Sequence, residues 1–281
     1  MLFRSRLLAN IRGLQAHCDA HRIALRPHMK THKMLAVARA QLDAGARGLT
    51  CAKLGEAEAM LPSGVREIFL AHSLVDPNQA PRIAGLLDQL DDFRVAVTSE
   101  PPLEALERVA AALPHRLGVM LAIDTGLGRE GVRSDAAARQ LAARLARHPR
   151  LELRGLYCHE GHFYGMPPDQ LVAAVDTMLE RLDRLRNELD PQFPLWPGCS
   201  VTAQLLVSRA AGRVQAIRPG TYVFGDLSLT HTTGVMPPSS AAVHILATVV
   251  DRPEPGLALI DAGSKTFSSD RTPHQIFGRA A

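Results

Sequence analysis

The stretch ALRPHMKTHK, residues 24–33, decides how the chain is read. A short apolar run leads into Pro27, and then His28, Lys30, His32 and Lys33 crowd one turn before a segment of helical period at 33–46. A charge run of this kind is ordinarily the solvated face of a loop. This one differs in its place, because it closes the first of eight apolar runs, six of which end in uncommon polar residues.

Working outward, short β-branched or apolar runs alternate with longer segments rich in alanine, leucine, arginine and glutamate. The strand candidates are 24–29, 48–53, 67–72, 93–99, 117–123, 153–160, 194–200 and 216–224. Helical candidates fall at 4–21, 33–46, 54–61, 77–90, 102–113, 134–148, 168–190 and 202–212. That alternation is the sequence form of consecutive βα units, and eight of them predict an α/β fold, a closed parallel (β/α)8 TIM-type barrel, over residues 1–225. An open doubly wound sheet is the alternative, but no strand candidate is followed by a GxGxxG turn. After residue 225 the texture changes. Two strand-like runs, 242–250 and 257–261, joined by a proline-rich turn, predict a partial C-terminal β domain over 226–281.

Composition narrows the function. The chain has 281 residues, 46% hydrophobic and 21% charged, with a net charge of +4. Its arginines are scattered along alanine-rich helical segments such as AAARQLAARLARHPR, so no nucleic-acid partner is expected. Cys18, Cys51, Cys158 and Cys199 lie far apart without ligand spacing and read as buried thiols of a reducing compartment. No apolar run has the length of a membrane span, and arginines interrupt the N-terminal apolar run, so no membrane association and a cytoplasmic location are expected.

In a parallel barrel the reacting groups lie at the C-terminal strand ends. Lys30 and His32 fall there after the first strand, His72 after the third, Asp124, Thr125 and Arg129 after the fifth, and His159, His162 and Tyr164 after the sixth. Cys199, Ser200 and Thr202 follow the seventh, with Thr221 and Tyr222 in the eighth. A strand-end lysine with partners for a phosphate and a phenol suggests a Schiff base with pyridoxal phosphate.

RPHMKTHK, followed by GARGLTCAKLGEAEAM, IDTGLGREGV, YCHEGHFYG and RPGTYVFGD, resembles the D-threonine aldolase and D-serine dehydratase group of the alanine racemase-like, fold type III pyridoxal phosphate enzymes. The resemblance implies a barrel of the alanine racemase N-terminal type. It implies that Lys30 forms the Schiff base, with Lys33 a phosphate-side or surface charge, and that His159 stacks on the cofactor ring. Arg129 would face the phenolic oxygen. Ser200, with the backbone of Gly198 to Thr202, would cradle the phosphate together with Gly220 and Thr221. Tyr164, with His162, would face the substrate, and Arg218 would lie near the pyridine nitrogen or brace Pro219. Against these roles, Arg129 has Asp124 and Glu130 as salt-bridge partners close in sequence, and Tyr164 has the alternative of covering a loop.

The activity so implied is a lyase on β-hydroxy-D-amino acids. The aldolase reaction, giving glycine and an aldehyde, comes first; a dehydratase or a catalytically silent pyridoxal phosphate barrel is the alternative. The group uses a divalent metal, manganese or zinc, on a histidine paired with an aspartate or cysteine two residues later. Here Ile276 follows His274 at that spacing, so the ligands are not carried over, and the chain reads as shortened at both ends. A homodimer is expected where the β domain is complete.

Overall fold

The structure, a computed structural model, describes residues 1–267. Helix α1 (Arg4–Ala20) precedes the first strand, β1 (Ala24–Leu25). Then α2 (Leu35–Asp43), β2 (Leu49–Cys51), α3 (Leu54–Met60), β3 (Glu67–Leu70), α4 (Ala80–Gln89), β4 (Asp92–Val97), α5 (Glu100–Ala111) and β5 (Leu117–Ala122) follow. The barrel ends with α6 (Asp135–Arg147), β6 (Leu151–Tyr157), α7 (Pro168–Leu189), β7 (Leu195–Trp196), α8 (Ala203–Arg209) and β8 (Ala216–Ile217). All eight expected strands and helices are present. The strands ending in Pro-containing stretches are shorter than expected: 24–29 keeps two residues, as do 194–200 and 216–224. Pro27, Pro197 and Pro219 each remove the N–H that a continued ladder needs.

Strands β2 to β7 form one parallel sheet in chain order, and β1 pairs in parallel with β8 through Ala24–Ala216 and Leu25–Ile217. Two seams join these pieces. The Arg47 amide donates to Leu25 O at 2.9 Å and Thr50 N to Pro27 O at 2.8 Å, while Gln215 N donates to Leu195 O at 3.2 Å. The eight strands therefore run round a closed ring with the helices outside.

The bore is packed with rings and guanidinium groups. Phe69, Tyr157 and Trp196 lie there among Ala96, Ala122 and Ala216, whose small side chains make the room. Arg26 and Arg94 sandwich Trp196, their Cζ atoms 4.3 and 4.6 Å from the ring centroid. Arg26 also pairs with Glu67, which accepts from Arg47 Nε at 2.6 Å. Higher in the bore, Arg218 stands 4.9 Å from the Tyr157 centroid. Buried cations are stable here because each has a carboxylate, a carbonyl or a π-face.

Beyond the barrel the backbone returns to the start of the chain. Leu2 bridges Val243 antiparallel, and Phe3 N donates to Ala242 O at 2.8 Å. Of the expected strand at 242–250, Val243 makes only that isolated bridge to Leu2, and Val249–Asp251 (β9) is the regular part, paired antiparallel with β10 (Leu259–Ile260). A last turn, α9 (Ser264–Phe267), follows.

Candidate active site

The two lysines of the opening stretch are separated by their partners. Lys33, at φ 51°, directs its Nζ to Glu56 Oε1 at 3.4 Å. Lys30 sits in a single 3-10 turn, Met29–Thr31, just past the end of β1, and its Nζ has no hydrogen bond or salt-bridge partner among the described residues. Desolvation, followed by the cations Arg129 and Arg218, holds the Lys30 amine below the usual lysine range. An unpaired amine of lowered basicity is a nucleophile.

His28, beneath it, is buried; its Nδ1 accepts from Lys30 N at 3.3 Å and braces the turn. Burial, with Lys30, Arg218, His159 and Arg129 nearby, keeps the ring neutral. These five groups feel one another's charge, so the barrel brings Lys30, His159, Arg129 and Arg218 together at one end. Arg129 is half-exposed and donates to Glu130 Oε1 at 2.8 Å, the acidic neighbour anticipated as its competitor. Glu130 in turn faces His72 Nδ1 at 3.8 Å. Asp124 builds the loop beneath them by accepting from the amides of Gly126 and Gly128 at 3.0 and 3.2 Å.

His159 Nδ1 lies 3.2 Å from the Gly198 carbonyl, and since a carbonyl only accepts, Nδ1 carries the proton and donates it. Burial lowers the basicity of this ring, so Nε2 is left as a free acceptor. Gly198 must be glycine, since a Cβ there would overlap the Arg218 amide. The Arg218 guanidinium donates from Nε to Trp196 O at 3.0 Å and from Nη2 to Cys158 O, so it braces the barrel from inside the bore.

The expected phosphate cradle divides. Ser200 Oγ is buried and accepts from Tyr222 N at 3.2 Å. Gly220 lies in close contact with the turn that carries Lys30: a Cβ would come within 2.5 Å of Thr31 Oγ1 and 3.1 Å of His28 O. Thr202, in contrast, turns inward and donates to Glu160 Oε1 at 2.6 Å, and the Gly198 and Cys199 amides also donate to Glu160. Tyr164 stands beside the Thr221 and Ser200 hydroxyls, and burial pushes its phenol up to about 12. Tyr222 lies not in β8 but in the turn after it, buried, accepting from Gln41 Nε2 at 3.0 Å. All four cysteines are buried with their thiols pushed up by desolvation, which makes them packing groups.

Glu160 is the residue the sequence did not point out. Its only signal was a carboxylate between a strand-end histidine and Gly161.

These groups fit pyridoxal phosphate: a free amine, the Ser200 and Thr221 hydroxyls beside Gly220, an oriented imidazole, and a buried Tyr157 hydroxyl without a partner among the described residues. A metal does not fit the same residues. Among the described residues no three His, Cys, Asp or Glu side chains are grouped to hold an ion, and His274 and Ile276 lie outside the described residues.

The family model described as alanine racemase, N-terminal domain, matches residues 4–228, and a serine dehydratase domain model matches 242–281. D-threo-3-hydroxyaspartate dehydratase of Delftia sp. is 33% identical over 95% of this chain and 71% of its own. D-threonine aldolase of Arthrobacter sp. is 28% identical over 96% and 72%. The solved structure of the Delftia dehydratase superposes with a TM-score of 0.84 at 27% identity, over 98% of this chain and 73% of that one. With the barrel, the unpaired Lys30 and these matches in agreement, the chain belongs to the alanine racemase N-terminal domain family, in its D-threonine aldolase and D-serine dehydratase group.

Proposed function

We propose that the protein is a pyridoxal phosphate-dependent lyase of β-hydroxy-D-amino acids, of the D-threonine aldolase type. The observation that carries this reading is Lys30, whose amine is unpaired and of lowered basicity at the mouth of the barrel while Lys33 is engaged by Glu56. Bound here, pyridoxal phosphate would supply the electron sink that weakens the bonds at the substrate Cα.

The chain's own groups would do the rest. Lys30 would be the attachment point and would carry a proton at Nζ to and from Cα. His159, its ring fixed by Gly198, would lie against the cofactor. Arg129 would stabilise the phenolate, and Arg218 would brace the floor beneath the pyridine nitrogen. Ser200, Gly220, Thr221 and the Tyr164 hydroxyl would hold the phosphate, with Thr202 acting from behind through Glu160. His162, whose buried Nδ1 has no partner and whose basicity is lowered by burial, is neutral and able to accept a proton on the substrate side.

The dehydratase reaction is the second reading, favoured by the 33% identity to the Delftia enzyme and by the serine dehydratase domain match. Incubation with pyridoxal phosphate and D-threonine, with and without manganese or zinc, separates them: acetaldehyde and glycine mark the aldolase, ammonia and 2-oxobutanoate the dehydratase. Neither product, with the cofactor bound at Lys30, would leave a silent barrel. The same reading includes a cytoplasmic homodimer; among the described residues no helix is long and apolar enough to cross a membrane. Val249, Val250, Leu259 and Ile260, exposed together on the β9–β10 hairpin, are its expected contact. A sedimentation mass of one chain would remove the dimer.

A further inference from the structure

Glu160 is completely buried just past the end of β6, and among the described residues no cation pairs with it directly. It does not cap the 3-10 turn that follows it, Gly161–Gly165. Its carboxylate turns inward and is satisfied by four donors. Oε1 accepts from Cys199 N at 2.9 Å and Thr202 Oγ1 at 2.6 Å; Oε2 accepts from Gly198 N at 3.1 Å and lies 3.7 Å from Cys158 Sγ. A buried carboxylate is costly unless hydrogen-bonded at this density, and an apolar side chain of similar size would hold a loop with less expense.

What the carboxylate adds is direction. Two successive residues just past β6 grip the Gly198–Cys199 peptide group from two sides: Glu160 takes its N–H, Cys199 N, at 2.9 Å while His159 meets its carbonyl, Gly198 O, at 3.2 Å. The carbonyl cannot turn away without breaking the amide's bond to Glu160. The His159 ring is therefore held in a single orientation and in the tautomer with the proton on Nδ1. The same carboxylate fixes Cys199 and Thr202 and so sets the course of the loop on which Ser200 lies.

We propose that Glu160 is a positioning residue for the cofactor site: it sets loop 198–202 for a phosphate monoester and, through the Gly198–Cys199 peptide, fixes the tautomer of His159. This rests on the pyridoxal phosphate reading above. It deepens that reading by assigning a role to a carboxylate facing away from the mouth.

Glu160→Gln keeps the shape but sets an NH2 group against a backbone N–H, so one of the gripped amides loses its acceptor. Two readouts test the role. In the protein without cofactor, the ring nitrogen shifts of 15N-labelled His159 report its tautomer: the wild type is expected to show one, E160Q a mixture. In titrations, E160Q is expected to lose tenfold or more in affinity for pyridoxal phosphate and less than twofold for pyridoxal, which lacks the phosphate. Thr202→Val, which deletes only the 2.6 Å bond, is expected to show the same selectivity to a smaller degree, and Thr202→Ser to restore the wild-type values.

Equal losses for both ligands, or an unchanged His159 tautomer, would overturn the proposal. If E160Q does not fold, the Thr202 pair decides by the same criteria. A wild type that binds neither ligand would sink the pyridoxal phosphate reading instead, while the tautomer measurement would still judge Glu160.

Discussion

Lys30 and Lys33 differ by the company they keep. The Lys33–Glu56 pair is more than half-exposed on the lysine side and contributes about 0–1 kcal/mol, yet it occupies that amine. Lys30→Ala is expected to abolish the borohydride-fixed pyridoxal phosphate adduct, and Lys33→Ala to leave it in place; peptide mapping reads both. The pH dependence follows from the same geometry. Desolvation, then Arg129 and Arg218, favours the neutral amine of Lys30, so its adduct forms at lower pH than an ordinary lysine's. Arg129→Met removes one of those cations and is expected to move the midpoint of adduct formation to higher pH; a midpoint that stays or falls would show that Arg129 does not act on Lys30. The sequence offered both lysines at one turn. Glu56, which separates them, is 23 residues beyond Lys33, a pairing that no local pattern carries.

The helices were legible because each has an apolar stripe at a period of 3.6 and most have identifiable ends. α6 is the clearest: Ser134 Oγ accepts from Ala137 N at 3.2 Å, and Asp135 and Arg147 match the helix dipole at either end. Ser134→Ala is expected to cost about 1 kcal/mol in urea unfolding, with an unchanged m-value. The strands were legible in number and order but not in length, since prolines truncate three of them at the rim. Those truncations form the site, because the chain leaves the ladder where it can turn toward a ligand. Gly220, after Pro219, shows the effect: a methyl group there meets Thr31 Oγ1 at 2.5 Å, against the turn that carries Lys30. Gly220→Ala is expected to weaken pyridoxal phosphate binding by at least tenfold while changing the unfolding midpoint little, as titration and denaturation together would show.

Across the whole molecule, charge is buried in layers that composition could not reveal. A net charge of +4 looks bland, yet Arg26 and Arg218 are inside the barrel and His28, His32, His159 and His162 all have depressed basicity. Neutral buried histidines make the fold sensitive to acid. His32 is the case with a definite value: burial pulls its ring down to about 4, with Nε2 buried beside Gln41. In the unfolded chain a histidine protonates near 6.5. Between these values the unfolded state binds the extra proton, so stability is fully present above about 6.5 and is lost progressively as pH falls toward about 4, by roughly 1–3 kcal/mol for this residue. His32→Gln removes that titration. Urea midpoints measured at pH about 7 and about 4.5 are therefore expected to fall less in the variant than in the wild type, so that the two proteins converge in acid. Equal decreases in both would mean that His32 is protonated in the folded protein and that the turn bearing Lys30 is open to water.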